Sequence, residues 1–503
     1  MRTKRILSAL LAGLLLVGAL TACATGNVTD DTTRTQSSET SDGSETELRD
    51  NLPDDLNYGN DEITFLSRDR DGWTDREIWV DGINGEPIND AVFERNKAVE
   101  ERLGVKISNI PDDDLGGYNI VSRVETAVEA GSDEYDVLAA ACYITLGQST
   151  KGIFANLRDS EYMDFDKPWW SQGLNDATLY RDNQHVVAGA LLLSIYRFAY
   201  ATVFNQKLFD DAGQKYLYEY VDNGTWTLDK QISLTPLFHR DNGDNIQDEE
   251  EDVYGFISTY HISVDPYWSS CEVDILKTNE DGEFEIIFET SKLFDVAEKV
   301  LTLYHKTDDS AYIVKNLPYD GHMDRVCDLF AEGKAAMATV RIMGLERENV
   351  RSMTDKFGIV PMPKFDETQK EYHSMLHDQF TVISVPTTVK GNRLDEVGAV
   401  LEALSSAAYR IVKPVYYEET LRTKIAQDQQ SSLMMEQIIN SLTTDSGIFY
   451  TDALGGFQNP FREIIESKQN TVTSKYRVAV LSLQKKLRTV MLKLDKIASK
   501  PAA

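Results

Sequence analysis

Between residues 61 and 141 the apolar positions alternate between short continuous runs, three of them, and two stretches of helical period. Ile63-Thr64-Phe65-Leu66 is an apolar run that ends in the polar turn Ser67-Arg68-Asp69-Arg70-Asp71-Gly72, which predicts a buried strand. Asn89 or Asp90 then caps a predicted helix carrying Val92, Asn96, Val99 and Leu103 on one face and stopped by Gly104. Val105 and Ile107 begin a second strand. After Gly116-Gly117, the positions Ile120, Val121, Val124, Ala127 and Val128 mark a second amphipathic helix, and Tyr135 to Ala141 reads as a buried strand. Strand, helix, strand, helix, strand implies a largely parallel sheet. The same grammar returns later: a helix with Val326, Leu329 and Phe330 stops at Gly333, and strands follow at Ala335–Val340 and Phe357–Pro361. From Leu394 the pattern is mainly helical, with Val397, Val400, Leu401 and Leu404 on one face and a long last helix from about Ser474. No internal repeat is visible, and the fold class is α/β with a helical C-terminal portion.

The N-terminus changes the picture. Arg2, Lys4 and Arg5 precede an apolar or small run from Ile6 to Leu20 and then Leu20-Thr21-Ala22-Cys23, the order of a secretory signal. A run of about 15 residues is short of the roughly 20 a spanning helix needs. Leu-Thr-Ala-Cys resembles the bacterial lipobox, which implies removal of residues 1–22 and acylation of Cys23 as the membrane attachment. Residues 23–60 are rich in Thr, Ser, Asp and Glu and poor in large apolar side chains, so they are expected to form a disordered tether.

The chain carries 82 acidic and 51 basic side chains, a formal charge of -31, and loss of residues 1–22 would make it more negative still. That charge disfavours nucleic acid and docking on anionic lipid. No later stretch reaches the length of a membrane-spanning helix. A body of about 440 residues is too large for one core. Its cysteines, Cys142, Cys271 and Cys327, are odd in number and widely spaced, which is no disulfide framework.

Several stretches resemble the family of extracellular solute-binding proteins related to maltose-binding protein: Asn89-Asp90-Ala91-Val92-Phe93-Glu94-Arg95-Asn96, Tyr135-Asp136-Val137-Leu138, Lys167-Pro168-Trp169-Trp170, Phe204-Asn205-Gln206-Lys207-Leu208-Phe209, Gly224-Thr225-Trp226-Thr227, Phe330-Ala331-Glu332-Gly333-Lys334-Ala335-Ala336-Met337, and Phe357-Gly358-Ile359-Val360-Pro361-Met362-Pro363. Their order and spacing cover nearly the whole body. The resemblance implies a two-lobed periplasmic-binding-protein-like fold of type II with a hinge crossed near Val187-Ala188-Gly189, Met337-Ala338 and Ser384-Val385-Pro386. On that basis residues 61–187 and 338–384 form one lobe, and 188–337 and 385–503 the other. It also implies a lipid-anchored, monomeric receptor on the outer face of the cell membrane that hands an oligosaccharide to the permease subunits of an ABC importer, with no cofactor.

A sugar site needs aromatic faces for the apolar side of the ring and fixed polar groups for its hydroxyls. Candidates at expected strand ends near the cleft are Arg68, Trp73, Tyr143, Arg197, Tyr260, Tyr267, Trp268, Arg341 and Met343. Tyr267 or Trp268 is expected to stack on the ligand, because in the resembling family this part of the second lobe supplies an aromatic. Trp169 and Trp170 are expected in the core.

Other signals carry less. Asn242-Gly243-Asp244 with Glu251 and Asp252 resembles an acidic calcium loop, but Arg240 stands at the first ligand position, so a plain acidic loop is expected. His373 and His377 would share one face of a helix, without the Glu of a protease motif. No nucleophile elbow, phosphate loop or Cys/His cluster occurs. Two readings stand against the transport receptor: a surface polysaccharide hydrolase or lyase, which needs only two carboxylates, and a lipoprotein adhesin without a closing cleft.

Overall fold

The computed structural model describes residues 49–499, apart from Asp71, Leu115, Gly116, Asn245, Glu250, Asn316 and Pro318, with only the backbone for 319, 320, 419–421, 423 and 424. Cys23 and the expected signal segment lie outside the described residues. The expected tether ends earlier than Asn60. Leu52 is buried in the core, and the Asp50 carboxylate takes two hydrogen bonds of 2.6 Å from Arg102. The polar composition of 49–60 hides these two anchors.

The strands are β1 (Asp61–Arg68), β2 (Val105–Asp112), β3 (Val137–Ala141), β4 (Tyr200–Asn205), β5 (Tyr254–Thr259), β6 (Leu276–Thr278), β7 (Phe284–Ile286), β8 (Ala311–Val314), β9 (Ala335–Arg341), β10 (Phe357–Val360), β11 (Ser374–Met375), β12 (Thr381–Ser384) and β13 (Leu442–Thr443). Two sheets carry the fold, ordered β12-β3-β1-β2 and β10-β4-β9-β5-β8. In the first, β1 runs parallel to β2 and β3, while β12 returns antiparallel to β3. In the second, β9 and β8 run parallel to β5, and β4 is antiparallel to β9 and β10. The nearly continuous apolar character of β3, β4, β5 and β9, each buried at every position, reflects cover on both faces.

The helices supply that cover. Helix Pro87–Leu103 starts two residues before the expected cap: Pro87 suits the first helical position, and the Glu86 side chain accepts from Asn89 N at 2.8 Å. It stops at Gly104 in the left-handed conformation, φ 59°, where an added Cβ would lie 2.7 Å from Asn57 Oδ1. Its buried face, Val92, Val99 and Leu103 included, is worth about 1.5–3 kcal/mol per fully buried aliphatic side chain.

Pairing revises the expected partition. Met337 and Ala338 lie inside β9, fully buried and registered against β4 and β5, so no crossing falls there. β9 and β10 belong to the second sheet, and of 338–384 only β12 joins the first sheet. The chain leaves the first sheet after Val187, which exchanges two 2.9 Å backbone bonds with Ile383. It returns through residues 361–380. Ser384–Pro386 is not a crossing either, because helix Asn392–Arg410 packs on helix Pro87–Leu103 of the first sheet. The next passage follows through 411–428 to helix Gln429–Asn440, which packs on β10. Helix Val472–Ala498 packs on helix Thr290–His305. Periodicity marks where strands are and is silent on which sheet they join.

Cys142, Cys271 and Cys327 are buried free thiols. Among the described residues no helix is long and apolar enough to cross a membrane, and no group of His, Cys, Asp and Glu is arranged to hold a metal ion. The Asp252 carboxylate of the acidic loop accepts from Asn242 N and Tyr254 Oη. His373 and His377 do not share a helix: Ser374 and Met375 between them form β11.

Candidate functional site

In open α/β sheets ligands sit outside the carboxyl ends of the parallel strands. Here those ends from both sheets meet. β1 ends at Arg68 and β9 at Arg341, and Trp73, on the turn after β1, has Arg341 over its ring with 4.8 Å from guanidinium carbon to centroid. Arg70 lies over the same ring at 4.6 Å and Arg68 at 5.7 Å. The floor is made by the two passing segments, where His377 N donates to Phe198 O at 3.2 Å and Arg68 Nη1 to Gln379 O at 3.1 Å. Trp73 meets Phe198 edge-on at 5.7 Å, and Arg341 lies 5.3 Å from the Phe198 centroid.

The turn bearing Trp73 is held firmly. Arg197, buried, donates to Trp73 O at 2.7 Å and Gly72 O at 3.0 Å and pairs with Glu346 at 3.0 Å and Asp75 at 3.4 Å. Glu77, fully buried, accepts from Ser194 N and from Thr381 Oγ1, and burial raises its carboxyl above the usual range. Arg197 thus fixes the turn, and its donors face protein.

A second charged group lies behind the floor. Arg462 holds Asp265 through Nε at 3.0 Å. Burial, together with the nearby guanidiniums of Arg341, Arg462 and Arg68, pulls His377 well below the usual histidine range, so its ring is neutral at pH 7. Burial pushes Asp378 up to about 7, with Arg462, Arg341 and Arg68 pulling it down. His261 and Arg462 open onto a cavity of about 510 Å³ that Tyr260, Lys315 and His322 also line.

Of the nine expected residues, the structure brings Arg68, Trp73 and Arg341 together, with Arg197 behind them. Tyr143, half-buried, stands at the β3 end against Tyr118 and takes Asp378 O on its backbone N–H. Tyr260 lines the neighbouring cavity and stacks on His305 at 5.6 Å. Met343, half-buried, follows Arg341 in helix Ile342–Leu345. Tyr267 and Trp268 are placed otherwise: neither has exposed surface, and the Trp268 ring packs among Phe288, Phe457, Phe461 and Tyr476. They follow β5 not as a loop but in a short helix, Pro266–Ser270, covered by the C-terminal helices. Sequence reasoning missed Arg70, Phe198, His261, Asp265, Asp378 and Arg462. Arg70 lay in the quoted polar turn and was legible; the others converge from separate segments with no local pattern.

No protein-family profile matches the sequence, and no curated protein matches it. Solved structures do. An ABC transporter solute-binding protein from Thermotoga lettingae bound with α-D-tagatose has a TM-score of 0.54 at 13% identity, over 85% of this chain and 100% of that one. An ABC substrate-binding protein from Listeria monocytogenes in complex with cycloalternan has 0.52 at 14%, over 87% and 99%. A family 1 extracellular solute-binding protein from Bifidobacterium longum subsp. infantis has 0.51 at 12%, over 86% and 100%. With its two sheets meeting at their carboxyl ends, the chain has the type II periplasmic-binding-protein fold of the family 1, maltose-binding-protein-like, extracellular solute-binding proteins.

Proposed function

We propose that this protein captures a carbohydrate outside the cell and delivers it, unaltered, to an ABC importer. The observation that carries this reading is Trp73, a half-buried indole set among guanidiniums where the strand ends of two sheets meet. One aromatic face with polar donors around it is the arrangement a saccharide ring needs. The reading draws further support from proteins of the same fold that hold a tagatose and a cycloalternan. Closure of the two sheets about the ligand would complete the site, with Val187, residues 361–380 and residues 411–428 as the connecting segments. A permease is the expected partner, and acylated Cys23 the expected anchor on the outer face of the membrane.

Two experiments test this. Melting of the mature chain against neutral and charged oligosaccharides should reveal a stabilising sugar, worth about 2.7 kcal/mol at one hundred times its dissociation constant, and the sugar should be recovered intact. New reducing ends or unsaturated products would move the assignment to a hydrolase or lyase, and no shift across such a panel would favour an adhesin. Separately, Cys23→Ser should release a folded protein from the membrane fraction; retention of that variant would sink the anchor.

A further inference from the structure

Four arginines are buried among the described residues: Arg68, Arg95, Arg197 and Arg341. Three have hydrogen-bonding partners. Arg68 donates to Gln379 O, Arg95 to Glu77 O and Ile78 O, and Arg197 to two carbonyls and two carboxylates. Arg341 differs. It is 5% exposed, and its Nε and Nη1 have no hydrogen-bond partner among the described residues. Its contacts are the faces of Trp73 and Phe198, which offset part of a cation's desolvation and accept no guanidinium hydrogen bond in the plane of the fork.

A buried, unpaired cation is destabilising to a fold. Its surroundings do not cancel the charge. Asp265 is engaged by Arg462, and the Asp75 and Glu346 carboxylates by Arg197. Asp378 lies beyond ion-pair distance of Arg341, and Arg68 adds positive charge to the same place. No hydrogen bond engages Arg341 Nη2 among the described residues either, and Nη2 forms a planar fork with Nε on one edge and with Nη1 on the other, each matching a carboxylate or a sulfate bidentately. We infer that the solute is an acidic saccharide, whose carboxylate or sulfate is gripped by Arg341 while a sugar face lies on Trp73. This inference rests on the carbohydrate reading and narrows it, against a net charge of -31 for the whole chain that would otherwise point to neutral sugars.

The test uses the mature chain and four probes by calorimetry: trigalacturonate, a sulfated chondroitin disaccharide, and neutral maltotriose and xylotriose. At least one acidic probe should bind and both neutral ones should not, with the carboxylate and sulfate arms telling which anion is taken. Arg341→Gln should weaken the acidic probe by at least about thirtyfold, the loss expected when one partner of a buried charge pair is removed. Arg341→Lys, which keeps charge without the fork, should recover only part of it. Unliganded Arg341→Gln should melt no lower than the wild type, because a cation without a partner is removed; a clear drop would make Arg341 structural and overturn the inference. Binding of neutral probes alone, or unchanged acidic binding in Arg341→Gln, would overturn it while leaving the carbohydrate reading in place. Failure of all four saccharides beside a response to succinate or inorganic phosphate would overturn both.

Discussion

Replacing Trp268 with alanine should destabilise the unliganded protein strongly and leave sugar binding by the folded fraction near normal. The ring has no exposed surface and lies 5.7 Å from Phe461, 5.8 Å from Phe288, 5.9 Å from Tyr476 and 6.2 Å from Phe457. Those four rings come from two distant stretches of chain, so the space cannot close by moving one of them. Truncating a buried Trp to Ala costs about 3–5 kcal/mol. One term works the other way: Trp268 Nε1 is buried without a hydrogen-bond partner among the described residues, so its removal relieves an unsatisfied donor, about 1–3 kcal/mol. A net loss of about 2 kcal/mol, and at most about 4, follows. With an unfolding entropy of about 2.1 cal/mol/K per residue over roughly 450 ordered residues, this lowers the melting temperature by about 2 °C, and at most about 4 °C. Trp268→Phe, which keeps most of the packing and drops the donor, should lose much less. Differential scanning calorimetry of both variants, paired with calorimetric affinity for the sugar that the panel finds, decides. A Trp268→Ala protein that melts like the wild type and binds tenfold more weakly would refute the packing argument and restore this ring to the ligand site.

Glu402 is buried and accepts the indole N–H groups of Trp169 at 3.1 Å and Trp170 at 2.8 Å; burial pushes it up to about 7, against those hydrogen bonds. Its folded-state value lies above its unfolded value, so its stabilising contribution is full below about pH 4.5 and is lost as pH rises through 7. Glu402→Gln should therefore narrow the gap to wild type between pH 4.5 and 8 in urea unfolding, by as much as about 3 kcal/mol; a parallel pH profile would count against it. Arg462→Met leaves the Asp265 carboxylate buried without its cation and should cost about 3–5 kcal/mol, while Asp265→Asn in the same chain should restore most of it. Additive losses in that double-mutant cycle would show that the pair is not coupled. Gly255→Ala would set a Cβ 1.8 Å from Thr235 O, a backbone atom, and should yield little soluble protein; normal yield and an unchanged urea midpoint would contradict that contact.

What was legible in the sequence was local. The period of Val92, Val99 and Leu103, the stop at Gly104 and the run from Tyr135 to Ala141 each reappear as an element close to its expected bounds. Trp169 and Trp170 are core residues, as their place before the first passage implied. What failed depended on partners far away in the chain. Met337-Ala338 looks like any sheet-end segment until β4 and β5 are seen on either side of it. Trp268 sits beside polar residues, and three of the four rings around it, Phe457, Phe461 and Tyr476, come from about two hundred positions on. The site shows the same division: Arg68 and Trp73 come from one turn, whereas Arg341, His377 and Arg462 reach it from segments whose meeting no spacing announces.

The three thiols have a practical bearing on how ligand capture can be watched. Burial pushes Cys271 and Cys327 up to about 12, and Cys142 well above the usual thiol range, and only the thiolate reacts with a maleimide. A chain starting after Cys23 therefore carries no native sulfur that competes for a dye. A cysteine introduced at Lys315, exposed at the end of β8 beside the His261 cavity, would be the single labelling point. An environment-sensitive fluorophore there would make the protein an optical sensor of the proposed ligand without first deleting any of its own cysteines.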